Sequence, residues 1–516
     1  MRSIVVTISA AILAVLGAVS VAAVSSTVPM QSVALPRLAS EDGKALAAQY
    51  CGSCHVLPEP SILDQTTWVT KVFPRMRKLI GLDQVPDAEL AQHDLRAFYP
   101  MHPTMTEDEW FTVASYYIDN APKALSPAPR QPLAMDTVRW KPEEATITVP
   151  MPLTTLCRFD TTRSLLLTSD GMQARFTIST VNGTQLATVP LTGPASWAVP
   201  TSTGWLVTDM GKLLPHDSAV GALWQVSWNQ QGRTASSRKL LDTLRRPTHV
   251  SVGDVDGDKR DDYVVCEYGN MYGRFGYYSI LANGRVRYKN LNPLPGAIRS
   301  MICDINGDGK PDIVVLMAQA REGIYAYINR GKGKFEMTTL LAFHPAFGSS
   351  SFDLVDTDAD GDLDLIVTSG DNGDYEFPPL KPYHGVYVFA NDGKLGFKQQ
   401  TFLPQNGAYG AAVHDFDGDG DLDILSIAYF ADFSTDASEA VIYWQREHDG
   451  SFRPFTIQGA DKGRWMVYEV ADVDADGDLD VILANVSMGP GNTTASLRER
   501  WVNEGRSYLL VRNRTR

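Results

Sequence analysis

The stretch DFDGDGDLD, Asp415 to Asp423, decides the fold. Four related stretches stand along the chain: DVDGDKRDD from Asp254, DINGDGKPD from Asp304, DTDADGDLD from Asp356 and DVDADGDLD from Asp472. The steps between the five are 50, 52, 59 and 57 residues. A recurring period of that size means one supersecondary unit per copy, assembled into a propeller or an array. An EF-hand would need a glutamate at loop position 12 and a helix behind it. Here the ninth residue runs straight into β-branched segments such as IVVLM and LIVTSG, so the loops join strands.

Each loop offers side-chain oxygens at positions 1, 3, 5 and 9, and position 7 is expected to add a backbone carbonyl. The sets are Asp254, Asp256, Asp258 and Asp262; Asp304, Asn306, Asp308 and Asp312; Asp356, Asp358, Asp360 and Asp364; Asp415, Asp417, Asp419 and Asp423; and Asp472, Asp474, Asp476 and Asp480. Hard oxygen donors in that number suit Ca²⁺. About five ions would offset most of a formal net charge of -14. That acidity, concentrated in short loops, argues against nucleic acid or anionic membrane as a partner. The copy at Asp254 carries Lys259 where the others have glycine at position 6. If that position needs a positive φ, this site is expected to be the weakest.

The pattern resembles the FG-GAP or VCBS repeat family of integrin-like β-propellers over residues 143–516. Seven blades are the expected number. CRFDTTRSLLLTSD from Cys157 and VPTSTGWLVTDMG from Val199 read as two further repeats without the aspartate cage. The last repeat ends on YLLVRN, and ATITVP, Ala145 to Pro150, is the expected strand that completes it and closes the ring.

Upstream, AQYCGSCHVLPEP, Ala48 to Pro60, contains C-x-x-C-H. No strand precedes it, as a thioredoxin-like dithiol would need, and no second Cys or His pair follows to complete a zinc site. The remaining reading is covalent haem c, with Cys51 and Cys54 bonded to the vinyl groups and His55 on the iron. Ser40 reads as the N-cap of a helix before the motif, and Thr106 with Glu109 as a capping box opening a later helix that carries Trp110, Val113, Ala114 and Tyr117. Short helices around such a motif resemble a class I cytochrome c over residues 35–127, giving a small all-α domain ahead of a mainly β one. WVTKVFPRM is similar to the segment that supplies the axial methionine of small exported cytochromes, which makes Met76 the expected sixth ligand. Met101 is the alternative, at the position usual in larger cytochromes c; Met105 and His93 fit neither pattern. Met/His ligation suits electron transfer. Residues 128–142, with the Pro-rich SPAPRQPLA, are expected to link the two domains.

Arg2, the apolar run Ile4 to Val24 and the small residues that follow form an export signal, cleaved or retained as a membrane anchor (residues 1–26). The expected location is the periplasm or cell envelope, and the architecture resembles bacterial envelope proteins. The loops opposite the cages are long and polar, and long loops on a rigid scaffold are where function concentrates. Tyr272, Arg274, Arg299, His344, Asp374, Tyr375, Tyr383, His384, Tyr409, Arg464 and Trp465 are expected to converge there, with Tyr383, His384, Asp374 and Arg464 as candidate catalytic groups. Aromatic platforms beside Asp, Arg and His suit a carbohydrate or another polyol.

Three functions follow as expectations. One is electron transfer with a partner protein or a quinone-linked chain, the propeller binding a substrate or partner. Another is a haem-linked dehydrogenase of sugars or polyols. The third is a lectin-like module. Cys266 and Cys303 could form a disulfide in an exported chain, although small buried thiols are the simpler expectation.

Overall fold

The computed structural model describes residues 40–86, 90, 98–143, 147–319 and 321–515. The export segment, His93, Ala145 and Thr146 lie outside the described residues. Among the described residues, no helix is long and apolar enough to cross a membrane.

Seven antiparallel sheets form a propeller, with blades at 154–190, 195–244, 247–292, 297–342, 349–404, 408–457 and 465–512. The first strand of each blade packs on that of the next, and Trp465–Ala471 packs on Thr154–Asp160, so the ring is closed. Second strands such as Asp312–Met317, Asp364–Ser369 and Asp423–Ala428 are buried along their whole length. They lie between two neighbouring blades, which explains their unbroken apolar runs. The two cage-free repeats are blades 1 and 2.

Closure differs in register from the expectation. Lys141–Glu143, not Ala145–Pro150, pairs antiparallel with Tyr508–Arg512 as the outer strand of blade 7. Thr148 makes only an isolated bridge to Arg506. The segment just before, Ala134–Asp136, adds a parallel strand to Phe452–Ile457 of blade 6. Trp140, 1% exposed, fixes this register by inserting its ring against Phe416 and Tyr443. The second half of the expected linker is therefore bonded to the propeller.

No disulfide forms, and all five cysteines are free. Cys266 packs in the core between blades 3 and 4, whereas Cys303 packs in the core between blades 4 and 5. They lie on opposite sides of blade 4.

The described residues between 40 and 121 form short helices joined by irregular segments and have their own core. The helices Ser40–Tyr50 and Glu107–Asn120 cross at Gly43, where a Cβ would stand 2.5 Å from that of Tyr116 and 2.8 Å from the Thr112 carbonyl oxygen. The capping box forms as expected, Thr106 accepting from the Glu109 N–H while Glu109 accepts from the Thr106 N–H. Between the two, Asp64 caps a helix that passes through a π turn, Trp68–Val72. Pro74 has no N–H to offer, and the ladder adjusts by bonding the Phe73 N–H back to the Trp68 carbonyl.

Candidate functional site

The cages sit between the first and second strands of blades 3 to 7. Their ninth residues, Asp262, Asp312, Asp364, Asp423 and Asp480, open the second strand and are at most 1% exposed. One carboxylate oxygen of each accepts the N–H of loop position 2, at 2.9 to 3.3 Å. The other accepts from the third strand or the residue just beyond it: Ser279 Oγ, or the N–H of Asn329, Asn391, Arg446 or Asn513. Position 9 thus staples the loop to the sheet. In every copy the position-6 N–H bonds the first aspartate.

Wrapping the loop this way puts positions 4 and 6 in the left-handed region. Position 6 has φ of 66° at Lys259 and 77° to 96° at the four glycines. Position 4 has φ of 63° at Ala359 and Ala475 and 70° to 84° at Gly257, Gly307 and Gly418. A non-glycine residue there costs about 1 kcal/mol.

Carboxylate oxygens in the copies at Asp254, Asp356, Asp415 and Asp472 lie within 4.8 Å of one another. The donor set is all oxygen and fits a hard divalent ion such as Ca²⁺. Side-chain cations already reach into four copies. Arg287 pairs with Asp256 and Arg260 with Asp258; Lys310 lies 2.9 Å from Asp308, Arg139 3.4 Å from Asp417, and Arg512 3.3 Å from Asp474. The copy at Asp356 has no basic partner among the described residues. There Asp356 Oδ1 is buried without a hydrogen bond, and burial together with Asp360, Asp364 and Asp356 raises the Asp358 carboxyl. Among the described residues, this copy is the least neutralised within the chain. In blade 6, burial lifts Asp423 to about 6.

The C-x-x-C-H stretch forms a turn at the end of the first helix: Cys51–Ser53 is one turn of 3₁₀ helix, and Cys54 donates its N–H to the Cys51 carbonyl. Cys51 is half-buried, Cys54 exposed and His55 half-buried. His55 Nδ1 is 2.9 Å from the Val56 carbonyl; with the proton on Nδ1, the Nε2 lone pair is left for a metal. Tyr117 and Trp68, ring centroids 4.4 Å apart, donate to the Pro58 and Pro60 carbonyls and hold the chain that follows. Met76 is half-buried against this core, Met105 is buried in it, and Met101 is 91% exposed.

The helical segment is seated on the propeller's loop face, opposite the cages. Tyr383 donates to the Ile62 and Ala346 carbonyls, Arg75 is 3.5 Å from Asp374, and the Phe98 and Tyr272 rings meet edge-on. Beneath lies a buried charged group. Glu322 accepts the Ser349 N–H and is raised by burial to about 7. Lys381 donates to the Ala346 carbonyl and is lowered by burial to about 8. His344 is lowered by burial to about 4, and His384 is 1% exposed.

With that geometry in view, a family model described as "FG-GAP-like repeat" matches residues 304–367 and 380–426, which span blades 4 and 5 and enter blade 6. These segments are FG-GAP-like repeats. No curated protein matches the chain. Among solved structures, similar folds include a streptogramin B lyase (13% identity, 73% of this chain and 98% of that one, TM-score 0.43). Saccharomyces cerevisiae Sqt1 (10%, 74% and 100%, 0.41) and the periplasmic gluconolactonase PpgL of Pseudomonas aeruginosa (13%, 58% and 85%, 0.39) are similar at the same level.

The propeller distributes the expected loop residues among several places. Tyr272, Asp374 and Tyr383 meet the helical segment, with His344, Tyr375 and His384 packed near them. Arg274 is bound to buried Glu267 at 2.7 Å, and Trp465 is a core residue bonded to the Ala460 carbonyl. Arg299 belongs to a belt across the channel formed by the first strands. It lies 3.4 Å from Asp353 and over Trp197, while Arg158 stacks on Trp197 and pairs with Glu469 at 3.0 Å. Tyr409 and Arg464 join a different group, with Arg246, Tyr268, Asp371 and Tyr429. The sequence reading missed His216, Arg246, Tyr268, Asp371 and Tyr429, although Tyr268 and Asp371 share loops with Tyr272 and Asp374, because nothing local sets them apart. Only ring closure makes them neighbours.

Proposed function

We propose that the chain is an exported c-type haem electron-transfer protein whose calcium-stabilised propeller is the platform for a substrate or partner. The observation that carries this reading is the Cys51–His55 turn. It presents two free thiols and an imidazole with its Nδ1 engaged, beside a helix crossing as close as Gly43 allows. Cys51 and Cys54 would hold the haem, His55 would ligate the iron, and Met76 is better supported as second ligand than the exposed Met101. Haem bound there supplies one-electron transfer. The chain's own residues orient His55, exclude water behind Trp68 and Tyr117, and fix the helical segment on the loop face through Arg75 and Tyr383. The electron partner is a donor or acceptor protein or a quinone-linked chain.

The group of Arg246, Tyr268, Asp371 and Tyr409 favours a second reading, a haem-linked dehydrogenase of sugars or polyols. Asp374, three residues from Asp371, is the residue that pairs with Arg75 of the helical segment.

A visible spectrum of the haem-loaded, calcium-bound protein, recorded while sugars and polyols are added, tests both readings. Saturable reduction of the haem by one compound supports the dehydrogenase. Reduction by dithionite or a partner protein alone supports electron transfer with a binding platform. A protein without a haem band contradicts both.

A further inference from the structure

Arg246 lies in the connection from blade 2 to blade 3, at φ 47°, a strained conformation for a side-chain-bearing residue. Its Nη2 donates to the Leu213 carbonyl at 3.0 Å, its Nε is buried without a partner, and its guanidinium lies 5.2 Å from the Tyr268 ring centroid. No carboxylate pairs with it among the described residues, although Asp371 and Tyr409 lie within electrostatic range. His216, 7% exposed, is beside it, and neither of its ring nitrogens makes a well-formed hydrogen bond, the Met210 backbone being near without providing one. Burial and the neighbouring Lys212 and Arg246 keep that imidazole neutral, so it can donate or accept.

Tyr268 Oη accepts from Gln319 at 2.9 Å, which leaves its own proton to give away. Asp371 accepts the Gly373 N–H through Oδ1 at 2.8 Å, which leaves Oδ2 for a donor. Tyr409 lies within electrostatic range of both, its ring 5.5 Å from that of Tyr429. Arg464 holds the wall, stacked 3.8 Å from the Tyr429 ring centroid and donating to the Tyr429 and Pro490 carbonyls. The cluster therefore combines a half-buried cation that lacks an acid partner among the described residues, an acceptor and a donor beyond ion-pair reach of it, and an aromatic wall.

We propose that this partly exposed cluster binds a polyhydroxylated carboxylate, a sugar acid, with its carboxylate on Arg246 beside His216, its hydroxyls on Tyr268 and Asp371, and its C–H face against Tyr409. This rests on the reading of the loop face as a binding platform. A guanidinium without an acid partner selects an anion. Asp371 nearby repels a second negative charge and accepts a hydroxyl, so a monoanionic polyol fits better than a dicarboxylate or a phosphate.

Titration calorimetry on the calcium-loaded full chain tests this, with glucuronate, galacturonate and gluconate beside glucose and galactose. The result is read as heat and does not depend on the haem. At least one acid should bind tenfold or more tightly than its neutral counterpart. Arg246→Gln should remove that advantage, and Asp371→Asn should weaken acid and neutral sugar alike, with melting temperature and haem spectrum unchanged. If Arg246→Gln does not fold, the unaltered protein still decides, because rising salt should weaken the acid and leave the neutral sugar unaffected. Equal binding of acid and neutral sugar, or no binding of any of the five, overturns the proposal.

Discussion

Blades 1 and 2 and blades 3 to 7 make the same turn from first to second strand in different ways. In the last five, aspartates line the turn and the ninth is buried as a staple. In blade 1 the turn is short, and its one buried acid, Asp160, is neutralised within the chain. Arg163 lies 2.6 Å away, and Thr162 and Trp205 donate to the same carboxylate. In blade 2 the strands Ala195–Thr201 and Gly204–Asp209 are joined by two residues, with no charge in the turn. The ring therefore tolerates a metal-type loop, an internal ion pair or a plain hairpin at equivalent places. What the cages add is a cluster of carboxylates, neutralised within the chain to a degree set by how far Arg and Lys side chains reach into each copy; the proposed calcium would make up the difference.

That gradient can be broken experimentally. The largest effect should come from chelation. Excess EGTA is expected to lower the melting temperature of the whole chain by about 10 °C or more, since several sites lose ligand-linked stability together. Calorimetry with no shift would remove calcium from the account. Next is the staple: Asp364→Ala should cost about 3 kcal/mol, because it strands the Thr357 and Asn391 N–H donors and removes a cage ligand. Asp360→Ala, at an exposed ligand, should cost much less, as denaturant titrations would show.

For the internal substitute in blade 1, Arg163→Met should cost about 2 kcal/mol, the same with and without calcium. A calcium-dependent penalty there would erase the distinction between the two groups of blades. The far end of the caged blades holds buried charge without an ion. Burial raises Glu322 to about 7, so the folded chain prefers its protonated form. Its contribution is most favourable below the ordinary carboxylate range and is lost as pH rises from about 4.5 to about 7. Glu322→Gln should therefore raise the melting temperature at pH 8 and leave it nearly unchanged at pH 4. The smallest effect is expected at Lys259→Gly, which relieves a positive φ of 66° and should tighten the Asp254 site several-fold at most.

The cages, the strand period and the two cage-free blades were legible because each is a local pattern repeated in sequence. The need for a positive φ at position 6 was legible from four glycines; the same need at position 4 was hidden by Ala359 and Ala475. The closing strand was misplaced by a few residues, since ATITVP alternates as a strand should whereas KPE does not, and the packing of Trp140 against Phe416 and Tyr443 fixes the register. The disulfide was undecidable from spacing, because which side of blade 4 a cysteine faces depends on register. At the loop face the sequence offered many aromatic and charged residues, but which of them meet is a property of the closed ring. Tyr383 and Asp374 are engaged by the helical segment, and Arg246 has no acid partner among the described residues.

The most direct test is the mass of the chain matured in a cell with c-type haem machinery. The account predicts the chain plus one haem, resistant to acid extraction and lost in the Cys51→Ala, Cys54→Ala double variant. A mature chain without added mass, or haem that extracts freely, would contradict it.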